Sequence, residues 1–233
     1  MDFSLILDRI FCYKNYIFPK NCLNCDEEGL WICESCKDSL FFINNNFCPF
    51  CKKRYQKFSV CFNCQKNINI SEVFSLFNYS DYFIQKIIKG FKYRYLKDIP
   101  EDLEVIFKRF LFKYRHFFNE DAVIVPVPLH YYRERERGFN QAYEIAKIIG
   151  EILKLKVDNQ LIIKFKKTKN QADIDYKHRF DNLSGVFKLN KDVPKNIILI
   201  DDVFTTGSTI KEVANLLTLN GTKNIQVITL ARG

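Results

Sequence analysis

Two adjacent carboxylates followed by a run of hydroxyls are the residues of this sequence best suited to chemistry. Asp201 and Asp202 come directly after a short apolar segment, and a hydroxyl- and glycine-rich run begins at Thr205. Carboxylates can accept hydrogen bonds from a vicinal diol, directly or through a hydrated metal ion. Hydroxyls and backbone N–H groups at the start of a helix can bind a phosphate dianion. The pattern therefore predicts a site for a phosphorylated sugar.

The predicted phosphate loop combines a glycine with four hydroxyl side chains. Gly207 would let the backbone approach the ligand closely because it has no side chain. The hydroxyl donors are Thr205, Thr206, Ser208 and Thr209. The alternative is an ordinary strand, turn and helix with a threonine-rich cap. Two carboxylates at the end of a buried strand argue against it, because each must be solvated or paired.

The elements that must position these groups are a strand before the acids and a helix after the hydroxyls. Residues Ile197–Ile200 are apolar and rich in β-branching, which predicts a strand buried on both faces. From Ile210 the apolar spacing becomes helical. Two further core strands are predicted at Val123–Val127 and Ile225–Leu230. We expect a ligand at the carboxyl ends of these strands.

A second anion-binding segment is predicted where the first core strand ends. Pro126 and Pro128 cannot continue a central ladder, so the chain must turn there and expose backbone N–H groups suited to pyrophosphate. The charged run that follows alternates in sign, which is typical of a solvent-facing surface. Arg137, next to Gly138, is the better candidate for an anion ligand.

Eight of the nine cysteines form four Cys-x-x-Cys pairs before residue 70. The pairs are Cys22/Cys25, Cys33/Cys36, Cys48/Cys51 and Cys61/Cys64. Two such pairs complete a tetrahedral Zn²⁺ site, and an all-sulfur ligand set favours zinc. A disulfide framework would need an oxidising compartment, which nothing else in the sequence indicates. The short intervals favour sequential pairing of the four knuckles over a cross-brace.

The cysteines divide the chain into two expected domains. Residues 1–70 are predicted to form an N-terminal helix and a zinc-binding module, which has few core residues, so that metal supplies its folding energy. Residues 71–233 are predicted to form the α/β domain. We expect the zinc module to lie outside the sugar-phosphate site.

Composition leaves the question of nucleic-acid binding open. A net charge of +9 suits phosphate ligands, but abundant Lys, Asn, Ile, Tyr and Phe also follow from AT-rich coding. Residues 52–58 interleave cations with aromatics, as single-strand binders do, although a solvated knuckle loop explains them equally well. No apolar run approaches the ~18 residues of a membrane span, and the N-terminus lacks the features of a secretory signal. A cytoplasmic protein is therefore expected.

Five motifs occur along the chain in a recognisable order. They are PVPLH (126–130), RERGFNQA (135–142), KKTKNQA (166–172), HRFDNLSGVF (178–187) and IDDVFTTGST (200–209). Together with the four cysteine knuckles they resemble the ComF family of phosphoribosyltransferase-like competence proteins, over nearly the whole chain. The resemblance implies a type I phosphoribosyltransferase-like fold, with a mainly parallel sheet and helices on both faces.

The resemblance also implies a ligand and a set of roles. Phosphoribosyl pyrophosphate would bind with Mg²⁺, its ribose hydroxyls on Asp201 and Asp202 and its 5′-phosphate on residues 205–209. The segment 126–130 would hold the pyrophosphate. Lys166 and Lys167 would belong to the catalytic loop, where many members carry arginines, so phosphate attraction is kept but bidentate geometry is lost.

The implied function is phosphoribosyl transfer with an acceptor that the sequence does not identify, in a protein of natural transformation. Family members handle incoming single-stranded DNA at the cytoplasmic side of the membrane, so single-stranded DNA and a competence helicase or membrane DNA channel are the expected partners. Three alternatives stay open: a non-catalytic, ligand-gated nucleic-acid-binding or regulatory protein, a nucleobase phosphoribosyltransferase, and an import factor whose site is vestigial.

Overall fold

A computed structural model describes residues 20–44, 46–92, 99–165 and 185–233. Its helices, numbered here in chain order, are α1 Glu34–Asp38, α2 Phe62–Ile68, α3 Tyr82–Lys92, α4 Ile99–Tyr114, α5 Tyr131–Arg137, α6 Gln141–Leu153 and α7 Ser208–Leu219. Its strands are β1 Glu72–Asn78, β2 Val123–Pro126, β3 Ile162–Lys164, β4 Phe187–Leu189, β5 Asn196–Phe204 and β6 Asn224–Arg232. A 3₁₀ turn, Arg115–Phe117, follows α4. No helix in these ranges is long and apolar enough to cross a membrane.

Four of the described strands form a parallel sheet in the order β1-β6-β5-β2. Parallel strands need crossover connections, and the helices that provide them cover both faces of the sheet. Alternation along β5 shows this directly, because Ile198 and Ile200 join one core cluster while Ile197 and Leu199 join the other. The predicted α/β fold with a mainly parallel sheet and an N-terminal cysteine module is confirmed.

The two core clusters have different partners. The first lies against α3, α4 and α6 and includes the cysteines of the first two knuckles, such as Cys22 and Cys33. The second lies against α7 and includes Cys48 of the third knuckle. Each half of the cysteine segment is therefore packed against one face of the α/β sheet.

Two core strands extend beyond the bounds predicted for them. The strand predicted to end at Ile200 continues to Phe204, so that both acids lie within it, and β6 continues to Arg232. These two strands extend together, with Asp201 opposite Thr229 and Phe204 opposite Arg232. An apolar run could not show this extension, because the ladder depends on backbone pairing and not on side-chain polarity.

A small antiparallel pair, β3 and β4, stands apart from the parallel sheet. It is anchored to α7, since the backbone N–H of Gly185 donates to Glu212 Oε1 at 3.0 Å. The predicted catalytic-loop residues Lys166 and Lys167 fall between these two strands, outside the described residues. The predicted N-terminal helix also falls outside them.

Candidate functional site

The eight paired cysteines fall into two groups of four. Within each group the sulfur atoms lie within 4.8 Å of one another: Cys22, Cys25, Cys33 and Cys36, then Cys48, Cys51, Cys61 and Cys64. The Sγ–Sγ distance is 3.5 Å between Cys25 and Cys33 and 3.6 Å between Cys51 and Cys61. A tetrahedral site with Zn–S bonds of about 2.3 Å places its sulfurs about 3.8 Å apart. The groups fit structural zinc, and the predicted sequential pairing is confirmed.

Backbone hydrogen bonds stabilise the thiolate form of the first cysteine in each group. The backbone N–H of Cys33 donates to Cys22 Sγ at 3.5 Å, and that of Cys61 donates to Cys48 Sγ at 3.4 Å. Burial alone would raise the pKa of both thiols, but backbone hydrogen bonds outweigh it and lower the pKa to about 6 for Cys22 and about 7 for Cys48. Metal binding requires the thiolate, so these backbone hydrogen bonds favour coordination by Cys22 and Cys48.

The acid pair lies near the carboxyl end of β5. Asp201 Oδ1 accepts a hydrogen bond from the backbone N–H of Asp202 at 2.8 Å. Burial and the adjacent charge of Asp202 raise the pKa of Asp201 to about 8. The Asp201 carboxyl group therefore holds a proton at neutral pH until a cation or a hydrogen-bond donor replaces it.

Lys92 is part of this site, and the sequence analysis did not identify it. Its Nζ lies 2.8 Å from Asp202 Oδ2, with side-chain exposures of 28% and 18%. Lys92 is the last residue of α3, a helix that is far from β5 in the sequence. In the sequence, Lys92 stands only in a basic, aromatic stretch, and such a stretch fits a solvated helix end equally well.

The turn between β5 and α7 contains the predicted hydroxyls. Gly207 precedes the first residue of α7 and has φ 70° and ψ 10°, a left-handed conformation that favours glycine. Thr206 Oγ1 donates to Ser208 Oγ at 3.0 Å and accepts from the Ser208 backbone N–H at 3.4 Å. Thr205 is exposed, and Thr209 is half-buried. The structure thus brings the turn and the acid pair to one end of β5.

The segment with the two prolines lies beside the acid pair, because β2 and β5 are neighbours in the sheet. The strand β2 ends at Pro126 and not at Val127 as predicted, although the Val127 N–H still donates to the Ile200 carbonyl at 2.8 Å. The Val127 carbonyl accepts from Asn140 Nδ2 at 3.1 Å, which holds the start of the segment that contains Pro128.

Arg137 is already engaged within the protein. Its Nη1 donates to Gln141 Oε1 at 3.0 Å, and Gln141 Nε2 reaches the carbonyl of Phe91 at 3.4 Å. This chain of contacts links α5, α6 and α3. The predicted role of Arg137 as an anion ligand stays a prediction, with one of its nitrogens occupied by Gln141.

Lys164 adds a cation close to the acids. Desolvation and the positive charge of Arg133 lower its pKa, while the negative charge of Asp201 raises it, with a net decrease. Arg133 is half-buried, whereas Glu134 and Arg135, next to it in the charged run, are exposed. Lys164 of β3 is therefore influenced both by Asp201 and by Arg133 of α5.

The zinc module packs against this region. Phe50, between Cys48 and Cys51, packs edge-on against Phe204 at the end of β5, with the ring centroids 5.5 Å apart. The second cysteine group is thus adjacent to the hydroxyl turn.

Comparison with known proteins agrees with the cysteine geometry and the motif order. A family model described as a double zinc ribbon domain matches residues 13–68. Competence protein F of Haemophilus influenzae is 28% identical over 225 residues, which cover 86% of this chain and 96% of that protein. Competence protein ComFC of Bacillus subtilis is 29% identical over 204 residues, covering 82% of this chain and 79% of its own. These matches support the resemblance of the chain to the ComF family.

Other relatives match a shorter part of the chain. The DNA utilization protein YhgH of Escherichia coli strain K12 is 36% identical over 110 residues, about half of either chain. The double zinc ribbon corresponds to the two cysteine groups, which we call the first ribbon (Cys22 to Cys36) and the second ribbon (Cys48 to Cys64).

Proposed function

We propose that this ComF-family protein binds phosphoribosyl pyrophosphate with Mg²⁺ at the carboxyl ends of β5 and β2. The observation that carries the proposal is the acid pair and the left-handed Gly207 turn at one end of β5. Asp201 and Asp202 would accept hydrogen bonds from the ribose hydroxyls, and the backbone N–H groups at the start of α7 would hold the 5′-phosphate.

The residues present suit a magnesium–pyrophosphate group. Hard carboxylate oxygens are ligands that Mg²⁺ prefers, and it commonly binds with substrate phosphates and water. Bound Mg²⁺ would neutralise charge on the pyrophosphate. The turn after Pro126 and the cation of Lys164 would hold the remaining phosphate oxygens, and Lys166 and Lys167 are proposed to join them.

Ligand binding would rearrange the charges of the acid pair. The ribose diol and the hydrated metal would take the place of the Lys92 ammonium at Asp202 and favour the ionised form of Asp201. A sugar held in this way is positioned for displacement of pyrophosphate at the anomeric carbon, and the surrounding cations would stabilise the charge that grows on the leaving group. The same geometry serves a non-catalytic, ligand-gated protein, and only turnover separates the two.

We further propose that the chain acts in natural transformation, on the cytoplasmic side of the membrane. The names of two relatives that match most of the chain, both competence proteins, support this role. The second ribbon carries an exposed aromatic beside cations: Tyr55 is 38% exposed and follows Lys53 and Arg54 in the sequence. Such a surface suits single-stranded DNA, with a competence helicase or DNA channel as a further partner.

Calorimetric titration of the zinc-loaded protein tests the ligand. We expect phosphoribosyl pyrophosphate to bind in the presence of Mg²⁺, and to bind more weakly without the metal. Ribose 5-phosphate and pyrophosphate should each compete, because each occupies half of the proposed site. Binding of neither fragment nor the whole ligand would reject the proposal. Pyrophosphate release, measured against nucleobases and single-stranded DNA as acceptors, then separates a transferase from a gated binding protein.

A further inference from the structure

Phe50 of the second ribbon packs against the turn at the start of α7. Its ring meets Phe204 at an interplanar angle of 71°. A Cβ placed on Gly207 would lie 2.9 Å from Phe50 Cε1 and 2.6 Å from Phe204 Cζ. Two aromatic rings, one from β5 and one from the ribbon, therefore fill the space into which a side chain at Gly207 would project. The left-handed turn has no room to shift toward them.

The contact continues into α7 and β6. Lys211, in the first turn of α7, places its Nζ 4.8 Å from the centroid of the Phe50 ring. Arg232, at the end of β6, donates from Nη2 to the carbonyl of Pro49 at 3.4 Å. The knuckle is thus held against the strand ends and the helix start, and its two cysteines fix Phe50 between them.

We propose that Phe50 is a positioning residue for the phosphate loop, and that the second ribbon is a structural part of the sugar-phosphate site. The inference rests on the proposed function for its ligand, but the loop packing exists without it. Binding of a phosphate by backbone N–H groups depends on their being held in place beforehand, because ordering a loose loop costs free energy on binding. Phe50 supplies the surface that holds Gly207.

The first ribbon has no comparable role among the described contacts. Its cysteines pack into the other core cluster, and its ion pairs run to α4. Metal at the first ribbon therefore supports the fold on the α4 side of the sheet. Metal at the second ribbon, through Phe50, also orders the turn at residues 205–209.

The test compares Phe50→Ala and Phe50→Leu with Phe62→Ala, which removes an exposed ring from the same ribbon. Each full-length variant is first shown by elemental analysis to retain its zinc. Phosphoribosyl pyrophosphate with Mg²⁺ is then titrated into each, and amide hydrogen exchange is followed at residues 206–211. We expect about ten-fold weaker binding and faster loop exchange for Phe50→Ala, since misplaced binding groups lose affinity. Phe62→Ala should match the wild type, and Phe50→Leu, which keeps an apolar side chain, should lie between.

Two results would overturn the inference. One is unchanged affinity and exchange in Phe50→Ala with zinc retained. The other is an equal effect of Phe62→Ala. If Phe50→Ala fails to fold, the ligand affinity and the amide exchange of Phe50→Leu test the inference in its place. If the wild type binds no phosphoribosyl pyrophosphate, the proposed function fails, and loop exchange in the variants still decides whether Phe50 positions the turn.

Discussion

At the level of single residues, the site brings together groups of opposite charge from distant parts of the chain. The acid pair and the hydroxyl turn are contiguous in sequence, so their types and spacing were enough to predict them. Lys92 and Lys164 come from α3 and β3 and meet the acids only in the folded protein. Their roles could not be read from the sequence, because a lysine near a helix end or in a short strand is ordinary.

The raised pKa of Asp201 predicts a pH-dependent stability in the unliganded protein. The ordinary value for the group is 3.8 and the folded value is about 8, so between these limits the folded state holds a proton that the unfolded state releases. The free energy of unfolding should therefore fall as pH rises through this window, by at most ~1.4 kcal/mol per pH unit for one proton. Urea unfolding at pH 6, 7 and 8 measures the slope.

The matched variant is Asp201→Asn, which keeps the size of the side chain but cannot ionise. Its free energy of unfolding should lose this component, so the difference between the two proteins should change steadily with pH and level off above about 8. A difference that stays constant from pH 6 to 8 would show that Asp201 ionises as an ordinary carboxyl group.

At the level of elements, the two ribbons are attached to the α/β sheet by different means. The first ribbon is joined to α4 through a buried ion pair, in which Lys37 Nζ lies 3.0 Å from Asp102 Oδ1 and the two side chains are 3% and 6% exposed. Asp102 Oδ2 also accepts from the Ile32 backbone N–H at 3.1 Å. Glu34 is a second partner of Lys37, at 2.8 Å. The contact fixes the orientation of the ribbon.

Removal of the charge at Asp102 should loosen the first ribbon. Asp102→Asn keeps an acceptor for Ile32 but leaves Lys37 buried with one anion, so we expect a loss of about 3 kcal/mol in the free energy of unfolding. The double variant Lys37→Met, Asp102→Asn should recover much of this loss, because no uncompensated charge remains. Both are measured by chemical unfolding with zinc content monitored.

The control on the same helix is Glu104→Gln. Its ion pair with Lys108 is exposed, at 40% and 59%, and such pairs contribute about 0.5 kcal/mol or less. If Asp102→Asn were no more costly than Glu104→Gln, the buried pair would have no part in holding the ribbon.

For the molecule as a whole, local sequence patterns predicted the individual elements, and long-range contacts determine how these elements pack together. The four knuckles, the core strands and the order of the motifs were sufficient for the fold class and for the pairing of the cysteines. The extension of β5 to Phe204 depends on its ladder with β6, and the contact of Phe50 with Gly207 joins residues far apart in sequence. No periodicity or spacing carries that information.

The packing of the second ribbon against the α/β domain also bears on the interpretation of the positive net charge. Lys53 and Lys211 line one concave surface together with Phe50 of the second ribbon, which packs against the turn at Gly207. A net charge of +9 is therefore compatible with a sugar-phosphate ligand and with a nucleic acid on the same protein.

The most direct test of the account is the affinity for phosphoribosyl pyrophosphate of the double variant Asp201→Asn, Asp202→Asn. Hydrogen bonds to charged groups contribute about 1.5–3 kcal/mol each, so calorimetry in the presence of Mg²⁺ should show at least about ten-fold weaker binding. Asp192→Asn, at an exposed acid in the turn between β4 and β5, should bind as the wild type does. Unchanged affinity in the folded, zinc-loaded double variant would contradict the assignment of this edge of the sheet as the sugar-phosphate site.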